Sequence, residues 1–179
     1  MGYIREFCEN DVAEVAQVHS KVYFGNNNVS EGLCSYYREI FLNNPWFDDR
    51  YGSLVSCSDE GRITGFIGRI VRPMRFEDKL INAAVCHRLM VDPEHAGPFA
   101  GSLLVRKFLS GEQDITIGDG SSDDAIKIWK AAGGSMSLIY SMNWFTLLRP
   151  LGFAISLTGK KSGLSATITS PLISLLKPF

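Results

Sequence analysis

Apolar residues recur along this chain with a period that changes from helical to extended and back. After Asn10-Asp11, an N-cap signal, Val12, Val15, Val18 and Val22 return at roughly helical spacing. This predicts an amphipathic helix over 11–23. Gly25 and the run Asn26-Asn27-Asn28 break it. Ser30-Glu31 opens a second helix carrying Leu33, Tyr36, Tyr37, Ile40 and Phe41, and Asn44-Pro45 ends it. The period then falls to two. Short strands are predicted at 3–7 and 52–57, and longer ones at 63–71 and 80–91. Ser58-Asp59-Glu60-Gly61 and Phe76-Glu77-Asp78-Lys79 supply the turns, so the last three form an antiparallel meander.

Asp92-Pro93-Glu94-His95 stops the meander, and helical spacing resumes from Gly97 to Leu109. A short strand over 114–118 follows, parallel to its neighbour if the helix is a crossover. Ser121-Ser122-Asp123-Asp124 caps another helix, which stops at Gly133-Gly134, and Ser135 to Met142 reads as a final strand. The expected architecture is an α/β domain with a mixed, mostly antiparallel sheet over 1–153. A low-charge tail or inter-domain segment follows over 154–179.

Composition narrows the chemistry. With 179 residues, 45% hydrophobic, the chain supports one core. Its 18 basic and 19 acidic residues give no broad pull toward nucleic acid or anionic lipid. Cys8, Cys34, Cys57 and Cys86 are widely spaced and read as reduced, buried thiols rather than a disulfide or zinc framework. The start Met1-Gly2-Tyr3-Ile4-Arg5-Glu6 lacks an apolar signal core, and no apolar run reaches spanning length. A cytoplasmic location is expected, with no metal. The apolar tail wants a partner surface, either in a homodimer or in a sister domain.

The element order resembles the GNAT N-acetyltransferase superfamily over about 3–153. The segment Met90-Val91-Asp92-Pro93-Glu94-His95-Ala96-Gly97-Pro98-Phe99-Ala100-Gly101-Ser102 carries the sharpest likeness. In that family a basic residue or Gln and two small residues open a helix whose amides hold the pyrophosphate of acyl-CoA. Gly101 keeps the last position. Ala96 stands where the family has Arg or Gln, Phe99 stands in place of a glycine, and Pro98 removes an N–H. Losing the charge-assisted contact costs about 1.5–3 kcal/mol. A second family signature aligns with Ser122, Ala125, Ile128, Trp129, Gly133 and Gly134. Trp129 replaces the Tyr that serves as general acid and has no hydroxyl to give. The chain thus resembles a degenerate member. Trp144-Phe145-Thr146-Leu147-Leu148-Arg149-Pro150 is similar to a narrower tandem group, of which this chain would be one half.

The resemblance implies acetyl-CoA or another acyl-CoA as cofactor. It would be held by Leu89, Met90, Val91, Gly97, Phe99, Ala100, Gly101, Ser102 and Trp129. Transfer would be to an amine on a small molecule or sugar, and the alternative is a non-catalytic scaffold. His87 is the candidate base, on the strand face shared by Val85, Leu89 and Val91, set against a satisfied, half-buried histidine. Tyr140 is the replacement acid. Cys86 cannot pair with His87, because adjacent strand residues face opposite ways. Asp92 and Glu94 are bases through water or else stabilise the corner. Asp119-Gly120 is a ligand-facing strand end or only a turn. Tyr36, Tyr37, Phe41, Trp46 and Phe47 floor an acceptor pocket or fill the core.

Overall fold

A computed structural model describes residues 2–118 and 121–137. The expectations for Asp119-Gly120, Tyr140, Trp144–Pro150 and the 154–179 tail lie outside the described residues.

The chain runs β1 (Tyr3–Glu6), α1 (Val12–Phe24), α2 (Glu31–Phe41), β2 (Leu54–Cys57), β3 (Ile63–Phe76), β4 (Lys79–Val91), α3 (Ala100–Leu109), β5 (Ile115–Gly118) and α4 (Asp123–Ala131). The strands form one sheet in the order β1-β2-β3-β4-β5, antiparallel except for β4 and β5. This is the mixed sheet expected from the periodicity. Ser30 and Ser122 cap α2 and α4 through their hydroxyls, as read. Asp11 differs. Its carboxylate turns back to the Cys8 amide and receives Arg5 in two hydrogen bonds of 2.6 and 2.8 Å. Burial opposes its ionisation, but these bonds win and hold the carboxyl below its ordinary range. Ser135–Ser137, the described start of the expected last strand, are not extended into a sheet.

Two apolar layers cover the sheet. On one face α1 and α2 bury Val12, Val15, Tyr37, Phe41, Phe66 and Met90. On the other, α3 buries Leu104, Val105 and Phe108 against Ile67, Ala84 and Cys86, with Trp129 of α4 at its margin. The first layer closes over Gly68. A Cβ there would meet the Phe41 ring at 2.3 Å and the His87 carbonyl at 2.4 Å, so α2 sits this close only because the position is bare. On the second face the buried Arg69 guanidinium lies 4.4 Å over the Phe108 ring and donates to the Phe108 carbonyl at 2.7 Å, closing the end of α3.

β3 and β4 run longer than their apolar stretches. Pairing continues to Phe76↔Lys79, whereas β2 reaches only from Leu54↔Ile67 to Cys57↔Ile63 and β5 only from Ala83↔Ile115 to Cys86↔Gly118. Residues 72–82 therefore form a two-stranded ribbon beyond the sheet. Arg72 stacks on the Trp46 ring at 3.5 Å, and Met74, Phe76 and Leu80 are exposed.

Candidate functional site

The site begins with a fault in β4. From Phe66↔Met90 to Gly68↔His87, β3 advances two residues while β4 advances three. The extra residue is Arg88, whose φ of 63° is left-handed. This is a β-bulge, and it breaks the alternation of faces. Leu89 and Val91 pack with α3 and α4, while Met90 packs with α1 and α2. His87 meets α2. The expectation that His87 shares a face with Leu89 and Val91 is therefore corrected, because the bulge shifts the downstream residues by one position.

β4 also outlasts its parallel partner. The β5 ladder ends at Cys86↔Gly118, and β4 continues to Val91. Along Leu89, Met90 and Val91 the β5-side edge carries no strand among the described residues. The strand then ends at Asp92, whose buried carboxylate accepts from the amides of Glu94 and His95 at 2.9 and 3.2 Å and from Lys21 Nζ at 3.0 Å. Burial disfavours the charge, but these donors and the His95 ring outweigh it and hold the carboxyl at about 2. Asp92 thus stabilises the corner, and Lys21 ties it to α1. With Glu94 and His95 it could gather round a cation, but Lys21 already supplies that charge.

The corner leads into α3, which starts at Ala100 rather than at Gly97. Pro98 and the preceding turn keep 97–99 outside the helix. Ala100 donates to the Gly97 carbonyl and Leu103 to that of Phe99. Among the described residues no acceptor reaches the amides of Gly97, Phe99, Gly101 or Ser102. Gly101 lies against α4 and β4: a Cβ there would meet Ile128 at 3.4 Å and Val91 at 3.9 Å. Phe99 points outward, 70% exposed, and is not packed into the core. Trp129 packs edge-on to Phe108 with centroids 6.0 Å apart.

On the α1/α2 side a cavity of about 460 Å³ opens between the end of α1 and the start of α2. It is lined by His19, Ser20, Phe24, Asn28, Leu33 and Tyr36, among others, and none of the described lining residues is Asp, Glu, Lys or Arg. Tyr36 connects it to β4: its hydroxyl lies 2.6 Å from His87 Nε2, and Arg88 Nε approaches the same oxygen at 3.4 Å. The Arg88 guanidinium also lies over the rings of Tyr23 and Tyr36, at 5.3 and 5.8 Å. His19 Nδ1 meets the buried Tyr37 hydroxyl at 2.9 Å. Burial first, and then the Arg88 charge, depresses the His19 pKa, so it resists protonation.

The expected aromatic floor divides. Tyr36 lines the cavity, Tyr37 and Phe41 are core, and Trp46 and Phe47 are exposed. Cys86 is a packed thiol with its pKa pushed up to about 12 by burial. All four cysteines are free, but Cys8 is exposed and Cys34 half-buried, against the expectation of four buried thiols. Arg88 and Lys21 were not foreseen as site residues. The pattern marks Asn26–Asn28 only as a helix breaker, though Asn26 and Asn28 supply polar lining.

No family model and no curated protein matches the sequence. Solved structures do. An acetyltransferase from Trypanosoma brucei matches with a TM-score of 0.58 at 17% identity, over 82% of this chain and 99% of that one. Glucosamine-6-phosphate N-acetyltransferase from Arabidopsis thaliana matches with 0.62 at 15%, over 83% and 99%. An aminoglycoside acetyltransferase from an uncultured soil metagenomic sample, in complex with sisomicin, matches with 0.58 at 16%, over 82% and 96%. The chain has the GNAT fold. Within a GNAT frame the unpaired end of β4 and the start of α3 lie side by side, and the α1/α2 cavity reaches β4 through Tyr36. No helix among the described residues is long and apolar enough to cross a membrane.

Proposed function

We propose that this chain is a cytoplasmic acyl-CoA-dependent N-acyltransferase, moving an acetyl group to an amine on a small molecule or sugar. The observation that carries this reading is the open backbone edge of Leu89–Val91 beside the unbonded amides of Phe99, Gly101 and Ser102. An acyl-CoA fits that donor set. Its pantetheine arm carries amides that can pair with a strand edge, and its pyrophosphate suits free N–H groups at a helix start. When bound, it supplies the activated acyl group.

The protein's own residues do the rest. Met90 and Val91 orient the arm through their backbone, with Leu89 beside them. Gly97 and Ala100 shape the turn, and Gly101 and Ser102 donate to phosphate. Trp129 closes the α4 side. His87 takes the proton that the acceptor amine must lose before it can attack. Tyr140 remains the proposed acid. The described cavity wall, with hydroxyls, carboxamides and aromatic faces and no carboxylate among its described residues, suits an acceptor that is neutral apart from its amine.

Titration calorimetry with acetyl-CoA tests the reading. Saturable binding in the micromolar to millimolar range is expected, and absence of heat at millimolar ligand refutes it. Trp129 favours a second reading, a scaffold domain, because it fills the general-acid position with a packed ring and no hydroxyl. Light scattering with and without residues 154–179 separates the two: a change of assembly without acetyl-CoA binding supports the scaffold.

A further inference from the structure

His87 is not in the cavity wall, and Tyr36 is. An acceptor amine in the cavity would therefore meet Tyr36 before the imidazole. The hydrogen-bond geometry around that oxygen is directional. Arg88 Nε–H can only donate, so at 3.4 Å it occupies one lone pair of Oη. The Tyr36 O–H is then free to donate to His87 Nε2 at 2.6 Å, which requires the imidazole tautomer protonated at Nδ1. One lone pair of Oη remains to accept from a group in the cavity. Arg88 reaches this position only because the bulge places it in a left-handed conformation beside His87. The positive guanidinium and the rings of Tyr37, Phe41 and His87 pack around Tyr36 and fix its orientation.

We propose that Tyr36 is the catalytic group that handles the acceptor's proton, relaying it to His87. This rests on the reading of the chain as an amine acyltransferase. The step balances. The acceptor ammonium gives one proton to Tyr36 Oη as the phenol gives its own to His87 Nε2. The products are a neutral amine, an unchanged phenol and an imidazolium, which later returns its proton to solvent. His87 acts through Tyr36 and is a positioning and proton-accepting residue. Among the described residues, Arg88 from β4, Tyr23 from α1 and Tyr37 from α2 face the pair, and His19 from α1 stands behind Tyr37. Across β3 stands Gly68, which has no side chain.

The test uses glucosamine as the probe, since it carries one ammonium and neutral hydroxyls. It compares the wild-type chain, Tyr36→Phe, His87→Gln and the double variant, with folding checked by circular dichroism. In the first arm the His87 ring is followed by NMR without acetyl-CoA. Glucosamine is expected to shift its signals in the wild type and to leave them in place in Tyr36→Phe. In the second arm thiol release from acetyl-CoA is followed against pH. Each single variant is expected to lower kcat about 100-fold or more with little change in KM, and to flatten the rising limb of the profile. The double variant should fall no further than the worse single, as residues acting in series do. The relay is overturned if glucosamine shifts His87 equally in Tyr36→Phe, if it shifts nothing in the wild type, or if the two losses multiply. Failure of acetyl-CoA to bind refutes the transferase reading and leaves the NMR arm to decide the relay.

Discussion

The α1/α2 face and the α3 face of the sheet both meet β4, but they are built to different standards. On the α1/α2 side a buried aromatic layer of Phe7, Tyr37, Phe41 and Phe66 presses on Gly68. A polar chain runs over it from the cavity through Tyr36 to His87 and Arg88. On the α3 side the core is equally dry, but the turn into the helix lacks a basic residue at Ala96, loses a donor at Pro98 and projects Phe99 into solvent. The contrast teaches that packing and chemistry are separable. The α3 layer is as well packed as its counterpart, while the turn at its start offers bare backbone and no charged side chain.

The largest effect should come from the α1/α2 face. Phe41→Ala removes a fully buried ring and should cost about 3–5 kcal/mol in urea unfolding. Because Phe41 also lies 6.0 Å from the His87 ring, it should disturb the His87 signals. Phe108→Ala, its counterpart on the α3 face, should cost a similar amount and leave His87 untouched. If both variants move His87, the two faces are not independent.

Next comes the addition of a charge to that turn. Ala96→Arg should tighten acetyl-CoA binding about 10- to 100-fold by calorimetry, the worth of a charge-assisted contact. No gain would mean that the turn, rather than the missing charge, limits binding. The smallest effect concerns the corner shared by both faces. The Asp92 carboxyl is held at about 2, below its ordinary value, so its contribution is complete above about pH 4 and fades as pH falls toward 2. Asp92→Asn should cost about 1–2 kcal/mol at neutral pH and flatten that acid limb of the unfolding midpoint.

Much of the scaffold was legible because hydrophobic periodicity is local. The helices and, apart from the end of β3, the meander strands fall within a few residues of their expected ends, and Gly61 adopts the positive φ its turn required. β3 was read as ending at Val71 because Arg72, Pro73 and Arg75 interrupt the apolar pattern. A ribbon wet on both faces has no alternation to show. The bulge was illegible because a left-handed arginine leaves no signal in composition, and one such residue put Leu89 and Val91 on the face opposite His87. Tyr36 meets His87 from 51 positions away and Lys21 meets Asp92 from 71, contacts that only the tertiary fold creates. Of the candidate site, the residue types were readable, whereas their partners were not.

The ribbon at residues 72–82 carries one more consequence. It projects two strands whose outer amides and carbonyls, beyond Asn82 with its two bonds to Asp114, lack strand neighbours among the described residues, a template on which another chain could add a strand. Pro73 deletes one of those donors, and Arg72, Arg75, Glu77, Asp78 and Lys79 crowd charges along the same stretch. A strand added to that edge would have to desolvate those charges and leave one bond unmade at Pro73. Met74, Phe76 and Leu80 can therefore stand in water without seeding aggregation, and replacing the three cations with apolar residues would remove that safeguard.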